Sequence, residues 1–233
     1  MASGPVAYVQ RWKQAAPDRI ISGLLFNVAT AGMSTDSLRR LHEAGQLEVF
    51  GEIGNQYAGI GPSDSVFAPY LAMAAELDIP VGIHIGTGPP GSPYLGFREY
   101  RARLHSPLLL EEALLRHPRL RVYIMHAGWP MLDDLLAVLW THPQVHVDVG
   151  IIVYALPEAE FYRYLRTIVD AGFGKRVMFG SDQMVWPETI ERAIARIEAA
   201  PFLTAEQKRD ILYDNAARFL RLDEAEIARH HGR

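Results

Sequence analysis

Cysteine is absent from this chain, which excludes disulfides and thiolate metal sites, so any bound metal must be held by His, Asp or Glu. The absence does not fix the compartment. No apolar run approaches the ~18 residues of a membrane span, and a membrane partner is not expected. The opening Met1-Ala2-Ser3-Gly4-Pro5 lacks the basic and apolar stretches of a signal peptide, which makes the cytoplasm the expected location. Blocks of Lys or Arg are missing too, and with a net charge of −4 at pH 7 no nucleic-acid footprint is expected. What remains is an ordinary globular composition, 49% apolar and 21% charged, with no case for disorder. A chain of 233 residues suits a single domain over 1–233, since α/β barrels often run ~200–250 residues as one unit.

Six short runs rich in Val, Ile and Phe read as strands: Ile20–Phe26, Leu47–Ile53, Val81–Ile85, Leu120–Met125, Val145–Val149 and Val177–Phe179. Helical patterns separate them. Ser34, Thr35 or Asp36 caps a helix through Leu38 and Leu41 that Gly45 ends. Asp64 begins another running to Pro80, Pro107–Arg116 and Pro130–Trp140 each open on proline, and Glu158–Ala171 and Pro187–Ala199 follow. Thr204 caps a C-terminal helix towards Arg221. Repeated β-then-α order predicts an α/β fold with a parallel sheet and short connections. One connection breaks the pattern: Gly86 to Ser106 is long, rich in Gly and Pro, and carries Tyr94, Phe97 and Tyr100. It leaves the strand that ends at His84, so it reads either as a lid over the strand ends or as a packed surface loop.

Four ionisable residues end apolar runs: Glu52, His84, His126 and Asp182. In a closed α/β barrel the C-terminal strand ends converge on one mouth, where such folds place their chemistry. Two histidines and two carboxylates there are the ligand types of a borderline divalent ion, with Zn²⁺ the expected one. A lone strand-end histidine is more often part of a satisfied polar cluster. Four such residues at four strand ends reverse that reading, because core packing has no reason to repeat charges there. His84, Asp182 and Glu52 are the candidate metal ligands, and His126 either binds metal or moves protons. Glu52 has a plain alternative in pairing with a neighbouring Arg. His117 and His142 precede prolines at helix ends, where a partial positive charge suits the dipole, and both read as structural. His146 and Asp148 share one face of their strand, with Asp148 nearer the mouth. His230 and His231 lie in a polar tail. Trp129, Gln183 and Trp186 are candidate pocket walls or packing residues.

The segments Gly51-Glu52-Ile53-Gly54, Ile83-His84-Ile85-Gly86, Met125-His126-Ala127-Gly128 and Phe179-Gly180-Ser181-Asp182, in this order, resemble the amidohydrolase superfamily. The nearest branch is the TIM-barrel metal-dependent hydrolases that also holds metal-dependent decarboxylases. The resemblance runs from about Tyr8 to Leu222 and includes Asp214–Leu220 as the closing helix. It implies a TIM-barrel-like (β/α) fold, incomplete, with about six of eight strands present. It makes His84 a metal ligand after the fifth strand and His126 the catalytic histidine after the sixth, or a ligand where two metals bind. Asp182 becomes a ligand that also accepts a proton from the nucleophilic water. The Glu52 position matches a metal-ligating glutamate in some relatives. The family's opening His-x-His strand has no counterpart here, so the chain is expected to be N-terminally truncated relative to the family. It should expose Ile20–Phe26 and Val177–Phe179 as bare edges, and to self-associate through them as a homo-oligomer. The expected function is hydrolysis of a small carbonyl-containing molecule, an amide, ester or lactone, by metal-activated water. The alternatives are a decarboxylase, for which Arg98, Arg101 and Arg103 in the long loop would supply a basic group, and a degenerate barrel that only binds.

Overall fold

A computed structural model describes residues 1–183 and 185–232. Five parallel strands form one sheet in the order β1-β2-β3-β4-β5: β1 Phe50–Ile53, β2 Val81–His84, β3 Val122–Met125, β4 Val145–Asp148 and β5 Val177–Met178. The helices are α1 Val6–Ala15, α2 Thr35–Glu43, α3 Ala68–Glu76, α4 Glu111–Arg116, α5 Leu132–Thr141, α6 Ile152–Ala155, α7 Glu158–Ile168, α8 Glu188–Ala199, α9 Ala205–Arg209, α10 Asn215–Leu220 and α11 Glu224–His230. Among the described residues no helix is long and apolar enough to cross a membrane.

Strand alternation sorts the side chains into two layers. Val81, Ile83, Val122, Ile124, Val145, Val147 and Val177 belong to a buried apolar core shared with helix residues such as Leu139 and Phe161. The alternate positions Gly82, His84, Tyr123, Met125, His146, Asp148 and Met178 face the other way, as the period of two requires. There Val49, Tyr123, Met125 and Met178 pack around Phe219 from α10. Polar and charged residues on an otherwise buried sheet thus all fall on the inner face.

The registers are regular from β2 to β4, with Val81 opposite Val122 and Val122 opposite Val145. Between β1 and β2 they slip: Phe50 pairs with Val81 but Ile53 with Ile83. The extra residue changes the phase of β1, so Phe50 and Ile53 both enter the outer core and Glu52 is re-aimed, as bulges do. Gly51 is required at this slip. A Cβ there would lie 2.7 Å from the Gly82 carbonyl oxygen.

The expected six strands and two bare edges need correction. Residues 20–26 run parallel to β1 and are hydrogen-bonded to it, the Leu24 amide to the Gly51 carbonyl (3.0 Å) and the Phe26 amide to the Glu52 carbonyl (2.7 Å), but the pairing amounts to isolated bridges, Gly23 to Val49 and Phe26 to Ile53, rather than a strand ladder. Their far side is not bare. The Gly23 amide donates to the Ala2 carbonyl (2.8 Å), the Ala2 amide to Ile21 (3.0 Å) and the Leu25 amide to Gly4 (3.3 Å). On the other flank the Phe179 amide donates to the Ile211 carbonyl (2.7 Å), and the Asn215 side chain donates to the Val177 carbonyl (2.6 Å). Backbone groups near a core must be paired, and both flanks have found partners outside the sheet. The ground for expecting self-association through open edges is therefore removed. The barrel is nonetheless incomplete: a cavity of about 490 Å³ lies between residues 1–5 and β5, with Trp12, Tyr123, Met125 and Phe219 in its walls.

Helix limits also moved. The Ser34 cap, the Gly45 stop (φ 67°) and the Thr204 capping box are as expected. The helix expected from Asp64 begins only at Ala68, after two turns. Of the helix expected over Pro107–Arg116, Pro107–Leu110 is 3₁₀ and only Glu111–Arg116 is α-helical. The helix Val6–Ala15 had no expectation behind it.

Candidate metal centre

Three of the four expected residues come together tightly. One ligand atom from each of Glu52, His84 and His126 lies within 4.8 Å of the others. Glu52 arrives through the β1 register slip, His84 as the last residue of β2, and His126 as the residue following β3. Asp182 is close by but outside that group. It has φ 51° and packs against Gly150, where an added Cβ would meet Asp148 Oδ1 at 3.0 Å, Asp182 Cβ at 3.3 Å and His126 Nδ1 at 3.5 Å. Gly150 is thus the hub around which Asp148, Asp182 and His126 gather, and a side chain there would push them apart.

His126 is held from three sides. Its backbone amide donates to Asp148 Oδ1 (3.0 Å), and its Nδ1 lies 3.0 Å from the Gly150 carbonyl. A carbonyl only accepts, so Nδ1 carries the proton and Nε2 presents its lone pair. His126 and Ala127 have φ of 59° and 46°, and the Tyr164 hydroxyl of α7 donates to the Ala127 carbonyl (2.9 Å) to fix this turn. His84 meets His126 edge-on, ring centroids 4.5 Å apart. Its Nε2 lies 3.1 Å from the Tyr57 hydroxyl, whereas its Nδ1 is buried without a partner.

The electrostatics of this pocket oppose charge of either sign. Burial pushes the Glu52 carboxyl up to about 7, with Asp182 and Asp148 adding to the rise and His126 opposing it. Asp182 and Asp148 are raised as well, chiefly by burial. Burial, then His126 and His105, pushes His84 well below the ordinary histidine range. Three crowded carboxyls and a neutral imidazole are the surroundings that a divalent cation would relieve. Ligand atoms on one tetrahedral ion lie ~3.5 Å apart, so the present spread asks for small side-chain rotations only. Together with the unpartnered nitrogen of His84, this donor set fits a divalent metal.

Other expected residues sort plainly. Asp148, the weaker of the strand-face candidates, belongs to the pocket. His146 lies at the opposite end of β4 against Phe219, ring centroids 4.8 Å apart. His142 is buried beside Glu111 (3.4 Å), and His230 meets the Tyr213 hydroxyl (2.8 Å). Gln183 lines the cavity and bonds to the Tyr154 hydroxyl. Trp129 instead donates to Glu160 on α7 (3.1 Å), and Trp186 is exposed. Arg98, Arg101 and Arg103 are exposed, and Arg101 spends its guanidinium on the carbonyls of Arg98 and Tyr100. Two residues beside the pocket were not anticipated, Tyr57 in the turn after β1 and His105 at the end of the long loop. Their only sequence signal was position, on the connections leaving two strands whose ends carry site residues.

Comparison with known proteins bears on the family and the fold. Residues 2–222 match the family model Amidohydro_2, described as amidohydrolase, and the chain belongs to that family, whose members are TIM barrels. A comparison with curated proteins returned no match. Among solved structures, an uncharacterized TIM-barrel protein from Bordetella bronchiseptica is 18% identical, with a TM-score of 0.72 over 93% of this chain and 72% of that one. A probable 2-pyrone-4,6-dicarboxylic acid hydrolase from Acinetobacter baumannii, with citric acid bound, is 17% identical with a TM-score of 0.66 over 94% and 82%. The 5-carboxyvanillate decarboxylase from Novosphingobium aromaticivorans, complexed with manganese and a nitrobenzoic acid, is 16% identical with a TM-score of 0.67 over 93% and 68%. These likenesses establish the fold. The family includes both hydrolases and decarboxylases and is metal-dependent.

Proposed function

We propose that this chain is a metal-dependent hydrolase of a small carbonyl compound, an amide, ester or lactone. One observation carries the choice: the pocket gathers Glu52, Asp148 and Asp182, while no Lys or Arg is among the described residues lining the cavity. A substrate carboxylate, which a decarboxylase must hold, would meet three carboxyls and, apart from the ion itself, no cationic side chain. A neutral carbonyl compound meets no such repulsion.

Glu52, His84 and His126 would hold the ion, and two imidazoles with a carboxylate suit zinc. When bound, a divalent ion supplies a Lewis acid for the carbonyl oxygen and makes water more acidic. Asp182, outside the group of three and raised by burial, takes the proton of the attacking water and returns it to the leaving group. The Gly150 carbonyl keeps His126 in the tautomer that turns Nε2 inwards. Asp148, accepting from the His126 and Gly150 amides, fixes the turn on which His126 rides. The apolar walls by Met125, Met178 and Phe179 exclude water from the substrate's far side.

The test is turnover by protein loaded with zinc or manganese, against chelated protein, on two panels. One holds small esters, lactones and amides, the other hydroxybenzoates followed by release of carbon dioxide. Metal-dependent hydrolysis is the expected result. Carbon dioxide release without hydrolysis would make the chain a decarboxylase, and failure to bind either ion would leave a barrel that only binds.

A further inference from the structure

The cavity beside the metal centre is larger than hydrolysis of a carbonyl needs. Packed interiors leave few voids bigger than a water molecule, whereas this one measures about 490 Å³. That falls in the ~300–1,000 Å³ range of ligand pockets. The borrowed hydrogen bonds of the two flanks satisfy backbone groups and leave apolar side chains uncovered. Leu25 and Trp12, both in the cavity walls, stay 51% and 46% exposed.

The two ends of the cavity differ in chemistry. Glu52, Asp148 and Asp182 line it at the strand ends, and Tyr123, Met125, Met178 and Phe219 line it further in. Its depth follows from β3. Tyr123 stands three residues before His126, which at ~3.3 Å per residue is about 10 Å. Phe219 marks the floor, packing on Tyr123 at 5.7 Å and on His146, at the far end of β4, at 4.8 Å.

Polar side chains in the walls are engaged elsewhere. The Tyr123 hydroxyl donates to the Met1 sulfur (3.4 Å), and the Ser3 hydroxyl donates to the Gly51 carbonyl. Gln183 is bonded to the Tyr154 hydroxyl and the Trp186 amide. Ser181 adjoins Asp182 at the carboxyl end. A polar or charged group reaching the floor would therefore lose its water and find no partner. An apolar group would gain from burial there. An apolar cavity of about 150 Å³ already holds benzene, so an alkyl chain or a ring fits.

We infer that the substrate carries, beside its neutral carbonyl, an apolar alkyl or aromatic group that fills this cavity down to Phe219. The inference rests on reading the site as a hydrolase centre. With the carbonyl held at the carboxyl end, the apolar group runs along the inner face of β3 over Met125 and Tyr123. Met125, Met178 and Phe219 then set specificity by the apolar area they cover.

The test uses the full chain loaded with zinc and two series of neutral esters, methyl esters of lengthening straight-chain acids and acetates of lengthening straight-chain alcohols. In one series kcat/KM should rise about fourfold for each added methylene until the cavity is full. If neither series rises while the short esters are hydrolysed, the inference is overturned and the hydrolase reading stands. Ala216→Phe puts a ring into the cavity from α10, beside Phe219 and Tyr123. It should bring the long-to-short ratio of kcat/KM close to one, and an unchanged ratio would overturn the inference. If that variant does not fold, Leu25→Trp takes its place with the same expectation. Chelated protein supplies a readout without turnover. It should take up the neutral fluorophore N-phenyl-1-naphthylamine and release it to 1-octanol but not to ethanol, and Ala216→Phe should abolish the uptake. Absence of uptake by wild type would overturn the inference. Uptake with no ester hydrolysed would instead overturn the hydrolase reading on which the inference rests.

Discussion

The two sides of this barrel are held together in different ways. From β2 to β4 the ladder is regular, the outer face is continuous Val and Ile, and α5 and α7 cover it with Leu139 and Phe161. On the side of residues 1–5, 20–26 and β5, strands shrink to bridges, edges borrow partners from Ala2, Gly4, Ile211 and Asn215, and a cavity remains. Apolar burial organises the first side and hydrogen-bond satisfaction the second. The site straddles the boundary: His84 and His126 stand on the regular side, while Asp182 enters from the open one.

The largest expected effect concerns that straddling. Asp182→Asn should lower hydrolytic turnover by about 10²–10⁴-fold, the usual worth of a positioned proton acceptor. Bound metal should stay near wild type, because Asp182 lies outside the group of three. Steady-state kinetics with metal analysis checks both, and parallel loss of metal would make Asp182 a ligand instead. Within the regular side, Phe161→Ala should cost about 3–5 kcal/mol in denaturant unfolding, since the ring is completely buried. Asn215→Ala, on the open side, leaves the Val177 carbonyl without its donor and should cost about 1–3 kcal/mol by the same measurement.

A smaller effect comes with pH. The folded Glu52 carboxyl titrates at about 7 against an ordinary 4.5, so between those values the folded state binds more protons than the unfolded one. Stability of chelated protein is then full below about pH 4.5 and falls as pH rises to about 7. Melting temperatures from pH 5 to 8 should show this decline, and Glu52→Gln should flatten it. Metal binding favours the ionised carboxyl and should reverse the slope. The smallest effect belongs to Leu25→Ala. Leu25 is half exposed at the cavity and should change stability by no more than ~0.5 kcal/mol. A cost comparable to that of Phe161→Ala would erase the distinction between the two sides.

Much of this was readable along the chain. Val81, Ile83, Val122 and Ile124 alternate with Gly82, His84, Tyr123 and Met125, and that period of two already says which side chains face inwards. The capping residues Ser34 and Thr204 mark two helix starts by chemistry that spans only three positions. Residues at four strand ends could be named as a site because parallel strands bring their C-termini to one end of a sheet. Local patterns carry such information, since the interactions that produce them lie within a turn or a pleat.

Tertiary structure decided the rest. The slip between β1 and β2 that aims Glu52 depends on how two separate strands settle against one core. Ala2 and Gly4 reach residues 21–25, and Asn215 reaches Val177, across intervals that no local period spans. Asp182 falls outside the group of three and packs against Gly150, with a positive φ. His105 meets His84 only because the long loop folds back on Tyr57. Each of these contacts joins residues whose separation along the chain says nothing of their distance in space. Their energy comes from pairing groups that burial would otherwise leave unsatisfied, and which groups are buried is settled only when the whole chain has packed.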